Sequence, residues 1–178
     1  MQRPGFAKAE SEEKTAELQA RFERLFQEYQ RPIASYLLRL VDDPRLAEEL
    51  AQDVFLKAYR TLGTLPEDAN VRAWLYRIAT NTAYDLLRRR RLLQWLPLGK
   101  RPTADPQRLE ERIAERDAVR RALAALPTTY RVPLLLYTVE GLSSKEIAEV
   151  LQITPNTVKV RIFRARQMFQ KAYEEGNK

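Results

Sequence analysis

Between Asn156 and Lys171 five cations, Lys159, Arg161, Arg164, Arg166 and Lys171, follow one another with no acidic residue among them. Ammonium and guanidinium groups at that density suit pairing with phosphate oxygens, and Arg can also fork onto the two acceptors of guanine. A solvated cationic helix face would look much the same. A second group, Glu48, Glu49, Gln52 and Asp53, recurs at three- and four-residue spacing and gathers carboxylates and an amide on one side of a helix, a surface for a basic partner or simply for water. A third is Trp74, Arg77, Asn81, Asp85 and Arg88, preceded by the polar stretch Thr64 to Asn70 and followed by Arg89, Arg90 and Arg91. Aromatic rings beside Arg suit single-stranded nucleic acid, because each base offers a face to stack on and each phosphate a charge to neutralise. Trp74 and Tyr76 could equally be core residues.

Other chemistry is closed off by composition. The 178 residues contain no Cys and no His, which removes disulfides, thiolate nucleophiles, imidazole acid/base catalysis and the usual zinc ligands. Five glycines form no phosphate-cradling motif. The only dense carboxylate supply is Asp42, Asp43, Glu48, Glu49 and Asp53, the minimum for a metal-dependent nuclease. Neither a metal nor another cofactor is expected, and an enzyme is the weaker reading. Lys and Arg number 31 against 24 Asp and Glu, a net charge of +7, with a pI near 9.8. Such a balance favours polyanionic partners, nucleic acid first and acidic membrane second. No stretch approaches the roughly 18 apolar residues of a membrane span, and MQRPGFAKAESEEK lacks an apolar signal region, so a cytoplasmic protein without membrane insertion is expected.

The elements that must position these groups read as helices throughout, an all-α fold. Apolar spacing from Leu18 continues past Pro32, which either starts a second helix or kinks the first. Asp43-Pro44 has the form of an N-cap followed by Pro at the first helical position, opening a helix to about Leu62. Gly63 to Asn70 reads as a loop, and Val71 to about Leu93 as a long helix. Periodicity fails over Gln94 to Pro106, where three prolines and a glycine mark a flexible interdomain linker, though its Trp95, Leu96 and Leu98 could dock on a domain. The expected organisation is therefore two small helical domains, 1–93 and 108–178, joined by linker 94–107. In the second, helical pattern runs from Leu109 to Leu126, stops at Pro127 and resumes until Gly141, a plausible residue just past a helix end.

Ser143 and Glu146 have the S-x-x-E spacing of a capping box, and Ile147, Ala148 and Leu151 give the helix after it a buried side. Thr154-Pro155 then opens another helix, with Gln152-Ile153 as the turn between them. That is a helix-turn-helix, whose second helix normally enters the major groove. At about 100° per residue, Val158, Ile162, Ala165 and Phe169 share the inward stripe. Asn156, Val160 and Phe163 lie opposite, flanked by Thr157, Lys159 and Arg164. Arg164 is the base-reading candidate, Val160 or Phe163 could touch thymine methyls, and Arg161 and Arg166, nearer the inward stripe, could clamp phosphates.

DPRLAEELAQDVFLKAYRTL, followed by VRAWLYRIATNTAYDLLRRRR, resembles regions 2.2 to 2.4 of the extracytoplasmic-function (ECF) sigma factors of the sigma-70 type. ALPTTYRVPLLLYTVEGLSSKEIAEVLQITPNTVKVRIFRARQMF resembles region 4 of the same family. Together they span nearly all of Phe22 to Tyr173, in family order. The resemblance implies a non-enzymatic initiation factor that binds RNA polymerase core through the β′ clamp helices and β flap, and whose partners are promoter DNA and an anti-sigma factor. It implies polymerase contact by Glu48, Glu49, Gln52 and Asp53, with Gln52 and Asp53 at matching positions. It implies −10 contact by Thr64, Asn70, Trp74, Arg77, Asn81 and Arg88, with Asn81 near the flipped base. For the −35 element it implies Asn156, Thr157, Lys159, Val160, Arg161, Arg164 and Arg166. Val160 stands where many relatives carry a small polar residue and Asn156 where Gly is common. A stand-alone helix-turn-helix regulator is the alternative that the residues by themselves leave open.

Overall fold

The computed structural model describes residues 4–93 and 110–176. They form seven helices: α1 (Pro4–Val41), α2 (Pro44–Leu62), α3 (Val71–Leu93), α4 (Glu110–Ala125), α5 (Thr128–Thr138), α6 (Ser144–Leu151) and α7 (Pro155–Gly176). Among the described residues there is no strand, as the helical periodicity predicts. Helices α1–α3 make one cluster and α4–α7 another. The expected linker, with Trp95, Leu96 and Leu98, lies outside the described residues.

Local chemistry accounts for most helix starts. Asp43 takes extended backbone and accepts the Leu46 N–H at 3.1 Å, while Pro44 fills the first helical position, where a missing N–H loses nothing. Ser143 and Glu146 form the full reciprocal capping box. Thr154 accepts the Thr157 N–H through its hydroxyl and hands over to Pro155. Pro32 does not begin a new helix: it sits inside α1, which runs on to Val41. Continuing tertiary contact on both sides of Pro32, through buried Leu25 and Ile33, compensates the one missing backbone bond. Pro133 lies in the interior of α5, fully engaged in the core.

One expectation about ends changes. Gly141 is not the residue just past α5. That helix stops at Thr138 with Val139 as its cap, and Gly141, at φ +66°, turns the chain two residues later. Backbone bonds from Glu140 to Leu135 and from Leu142 to Leu136 close the end in between. The turn of the helix-turn-helix falls at Gln152-Ile153 as expected, with Gln152 in the left-handed region at φ 53°.

Packing supplies the stability. Tyr36, Leu37 and Leu40 of α1, Val54 and Leu62 of α2 and Leu75 of α3 are almost completely enclosed. Each such aliphatic side chain contributes roughly 1.5–3 kcal/mol. The exposed Arg45–Glu49 pair contributes only about 0.3–0.5 kcal/mol. Ala58, Ala79 and Ala83 have no exposure, and their small size permits close helix contact.

The two clusters pack on each other, α6 against α3 and α5 against α1. Leu142 and Ile147 belong to the same continuous core as Leu75 and Tyr76. Polar bonds stitch the seam. Arg72 donates to the Glu140 carbonyl, the Tyr76 hydroxyl donates to the Glu140 carboxylate, and the Asn70 amide donates to Glu146 at 3.2 Å. On the far side, Arg131 donates to the Leu40 carbonyl at 3.0 Å and Arg120 pairs with Asp42 at 2.7 Å.

Candidate functional site

Three surfaces collect the residues singled out by spacing. The first is α7. Val158, Ile162 and Ala165 are buried and Phe169 half-buried, which is the expected inward stripe. Asn156, Lys159, Val160, Phe163 and Arg164 all face water. Phe163 is 63% exposed, an unusual position for a phenyl ring. Thr157 departs from the rest: it is half-buried and its hydroxyl shares a 2.8 Å bond with Thr154, so it completes the helix start. The two inner cations are differently placed. Arg166 is exposed and lies over the Tyr137 ring, 5.4 Å from its centre. Arg161 is half-buried and close enough to Tyr84 of α3 to oppose, in part, the burial that raises that phenol's pKa.

The second surface is α3 with the loop before it. Arg77, Asn81, Asp85 and Arg88 are exposed along one side, with Trp74 half-buried at its start. Tyr76 belongs to the core, 1% exposed, and Thr82 is buried opposite, where it accepts Lys57 Nζ at 2.9 Å. Asp85 and Arg88 pair at 3.3 Å in the open. In the loop, Thr64 is exposed and donates its hydroxyl to the Thr61 carbonyl. Asn70 caps α3 by accepting the Ala73 N–H at 3.0 Å. Leu65, Ala69, Asn70, Trp74 and Arg77 line an open cleft of about 250 Å³ closed on its other side by Glu149 of α6. Charge at this edge is fixed: hydrogen bonds from Ser143, backbone first and side chain second, hold the Glu146 carboxyl below the usual range, and Asn70 and Arg72 add to the effect.

The third surface joins α1 and α2. Glu48, Glu49, Gln52 and Asp53 are all exposed, as the spacing predicts. Glu48 and Gln52 form the rim of a groove whose floor is apolar: Phe26, Ala34 and Leu38 of α1 with Ala47, Ala51 and Phe55 of α2. Phe26 and Phe55 meet edge to face at 4.9 Å. That floor is missed from the sequence, where neither Leu38 nor Phe26 is singled out as a surface residue. Their partial exposure, 40% and 39%, was legible only in the way α1 carries apolar residues around more than one side. Among the described residues no three carboxylates gather closely enough to hold a metal ion, so the supply at Asp42 to Asp53 is dispersed. Asp42 and Asp43 are instead paired with Arg120 and Arg90. No described helix is long and apolar enough to cross a membrane.

Comparison with known proteins matches two stretches of the chain to family regions. Residues 25–92 match sigma-70 region 2 and residues 116–169 match sigma-70 region 4. The chain is 36% identical over 174 residues to the RNA polymerase sigma-H factor of Pseudomonas aeruginosa, covering 86% of each. It is 31% identical over 170 residues to the ECF RNA polymerase sigma-E factor of Escherichia coli K12, covering 84% of each. In fold it is similar to the sigma factor RpoE of Bartonella quintana, solved in complex with the anti-sigma factor NepR, with a TM-score of 0.72 at 23% identity over 86% of this chain and 96% of that one. It is also similar to CnrH, solved in complex with the cytosolic domain of CnrY, with a TM-score of 0.69 at 26% identity over 88% and 90%. Region 2 on the α1–α3 cluster and region 4 on the helix-turn-helix cluster occur here in one chain and in that order, and the chain belongs to the ECF group of sigma-70 family sigma factors, non-catalytic regulators of transcription.

Proposed function

We propose that the three surfaces divide promoter recognition among them. The α1–α2 groove, with Glu48, Glu49, Gln52 and Asp53 at or near its rim, takes the β′ clamp helices of RNA polymerase core. Apolar floor plus acidic rim suits an amphipathic helix with basic flanks. The region 4 cluster contacts the β flap. The α3 face and the loop from Thr64 to Asn70 capture the unpaired −10 strand: Trp74 stacks, Arg77 and Arg88 neutralise phosphates, and the exposed amide of Asn81 both donates to and accepts from a flipped base.

Helix α7 lies in the major groove of the −35 element. Arg164 is the base reader, Lys159 and Arg166 neutralise phosphates, and Val160, Phe163 and Asn156 line the groove side. Thr157 supports the helix start and Arg161 joins the phosphate contacts once it is free of α3. The protein acts in the cytoplasm and is held in check by an anti-sigma factor, a partner that the NepR complex of the Bartonella relative brings to mind. Domain limits of 1–93 and 108–178 follow from the same division.

The observation that carries the reading is the exposed cationic side of α7 over Asn156 to Arg166, where no acidic residue occurs, directly after a capped helix α6 and within the span matched to region 4. Run-off transcription tests it. Core polymerase plus this chain should yield promoter-dependent transcripts, and the chain alone should bind duplex promoter weakly. Tight sequence-specific duplex binding without polymerase, and no transcript with it, favours the stand-alone regulator.

A further inference from the structure

We infer that Tyr137, near the end of α5, is a positioning residue for the −35 contact: its ring carries the Arg166 guanidinium and presents the N–H edge of that group to one phosphate of the promoter backbone. The inference rests on the reading of α7 as the −35 helix and of Arg166 as one of its phosphate contacts.

Arg164 and Arg166 are near neighbours in sequence but are held differently. Two positions along a helix turn a side chain by about 200°, so Arg164 falls on the groove side of α7 and Arg166 on a flank. There the Arg166 guanidinium carbon stands over the Tyr137 ring, 5.4 Å from its centre. Both residues are exposed, and among the described residues no carboxylate pairs with Arg166. That combination matters because a guanidinium has a face and an edge. A ring engages the face and leaves the in-plane N–H donors free for a forked bond to phosphate oxygens, whereas a carboxylate would occupy the donors themselves.

The ring stands on a fixed base. Leu134, one turn before Tyr137 on α5, shares a small buried core with Ala165, the residue before Arg166. Packing of α5 on α7 thus sets ring and cation side by side. Backbone bonds from Val139 and Glu140 to Leu135, and the Thr138 hydroxyl donating to the Leu134 carbonyl, close the helix end around Tyr137 and resist fraying of the turn that bears it. A long cation loses rotamer freedom when it docks on a phosphate. One that already rests on a ring has lost part of it beforehand, and the contact is stronger by that amount.

The test uses holoenzyme, RNA polymerase core carrying this chain, and a duplex promoter. Tyr137→Phe keeps the ring and removes only the hydroxyl. Tyr137→Leu removes the ring at a position that is 41% exposed. Each is made in the parent and in Arg166→Ala. Promoter affinity is measured on duplexes in which single backbone phosphates of the −35 element are replaced, one at a time, by uncharged methylphosphonates, and on a control fragment that ends between the −10 and −35 elements.

Tyr137→Leu should bind the full promoter roughly three- to tenfold more weakly, with Tyr137→Phe within about twofold of the parent and neither altered on the control fragment. In the Arg166→Ala background, Tyr137→Leu should cost nothing more. One methylphosphonate should weaken the parent but not Arg166→Ala, and its effect should shrink in Tyr137→Leu. Parent-like binding by a folded Tyr137→Leu overturns the positioning role, as does an undiminished loss in the Arg166→Ala background or a Tyr137→Phe as weak as Tyr137→Leu. If Tyr137→Leu does not fold, Tyr137→Gln takes its place in the same comparisons. The two readings fail differently. A weakened Arg166→Ala beside an unaffected Tyr137→Leu leaves Arg166 on its phosphate and overturns the role of the ring. An Arg166→Ala that binds like the parent, with no methylphosphonate separating the two, overturns the phosphate assignment and the role of Tyr137 with it.

Discussion

The hydroxyls of Tyr36 and Thr80 share a 2.8 Å hydrogen bond with neither residue exposed, joining α1 to α3 one position before Asn81. Each hydroxyl satisfies the other. Burial pushes the Tyr36 phenol well above its ordinary pKa, which keeps it a neutral donor or acceptor at any physiological pH. Tyr36→Phe strands the Thr80 hydroxyl in the core and should lower stability by about 1–3 kcal/mol in a urea titration. The double variant Tyr36→Phe/Thr80→Val removes both polar groups and should recover most of that loss. A double variant worse than the sum of the two singles would show that the pair is not the relevant unit.

Gln152 should profit from replacement by glycine. It holds φ at 53° between α6 and α7, a conformation that costs an L residue roughly 1–2 kcal/mol and glycine almost nothing. Glycine's greater freedom in the unfolded chain returns part of the gain, leaving about 0.5–1 kcal/mol of net stabilisation. Gln152→Val should be destabilising, because a β-branched side chain tolerates that region poorly. Thermal melts of the three proteins order them, and a Val variant as stable as the parent would refute the account.

The capping box makes α6 sensitive to acid. The folded-state pKa of Glu146 is depressed by hydrogen bonds from Ser143, with help from Asn70 and Arg72. A depressed carboxyl stabilises the fold above its unfolded pKa, about 4.3, and that contribution disappears as pH falls through the folded value. Stability measured downward from pH 6 should therefore decline more steeply in the parent than in Glu146→Gln. Parallel pH profiles would exclude this carboxylate as the source.

Arg164→Ala should weaken use of the −35 element by about 1–3 kcal/mol and relax preference at one base position. Phe163→Ala should leave stability within about 0.5 kcal/mol, since the ring is largely in water, yet lower promoter affinity. Asn81→Ala should reduce open-complex yield on duplex promoters. These are read by transcription from a randomised promoter library with core polymerase. An unaltered base profile for Arg164→Ala would move the reading role to another side chain.

Leu38 lies on the groove floor but is 40% exposed, so Leu38→Asp should fold normally. Its effect should fall on association with core polymerase, lowering apparent affinity at least as much as Gln52→Ala on the rim. Undiminished core binding by Leu38→Asp would place the clamp contact elsewhere.

Most of the architecture was legible because its signals are local. Asp43-Pro44, Ser143 with Glu146, and Thr154-Pro155 each act within three residues, and all three open helices as expected. The inward stripe of α7 follows from a fixed turn angle. The misses come from distant or atypical partners. The bonds of Glu140 reach back 64 and 68 positions, and nothing in LLLYTVEG marks it as a seam residue. Gln152 takes a backbone region usually left to glycine. Thr157 and Arg161 were legible as face residues, but the Thr154 hydroxyl and the proximity of Tyr84, which decide what each does, depend on geometry across elements.

The amide of Asn70 has two ends with different fates. Oδ1 accepts the Ala73 N–H within α3, while Nδ2 donates across the seam to Glu146. One side chain therefore couples the cap of α3 to the capping box of α6, so a change at either helix start is felt at the other.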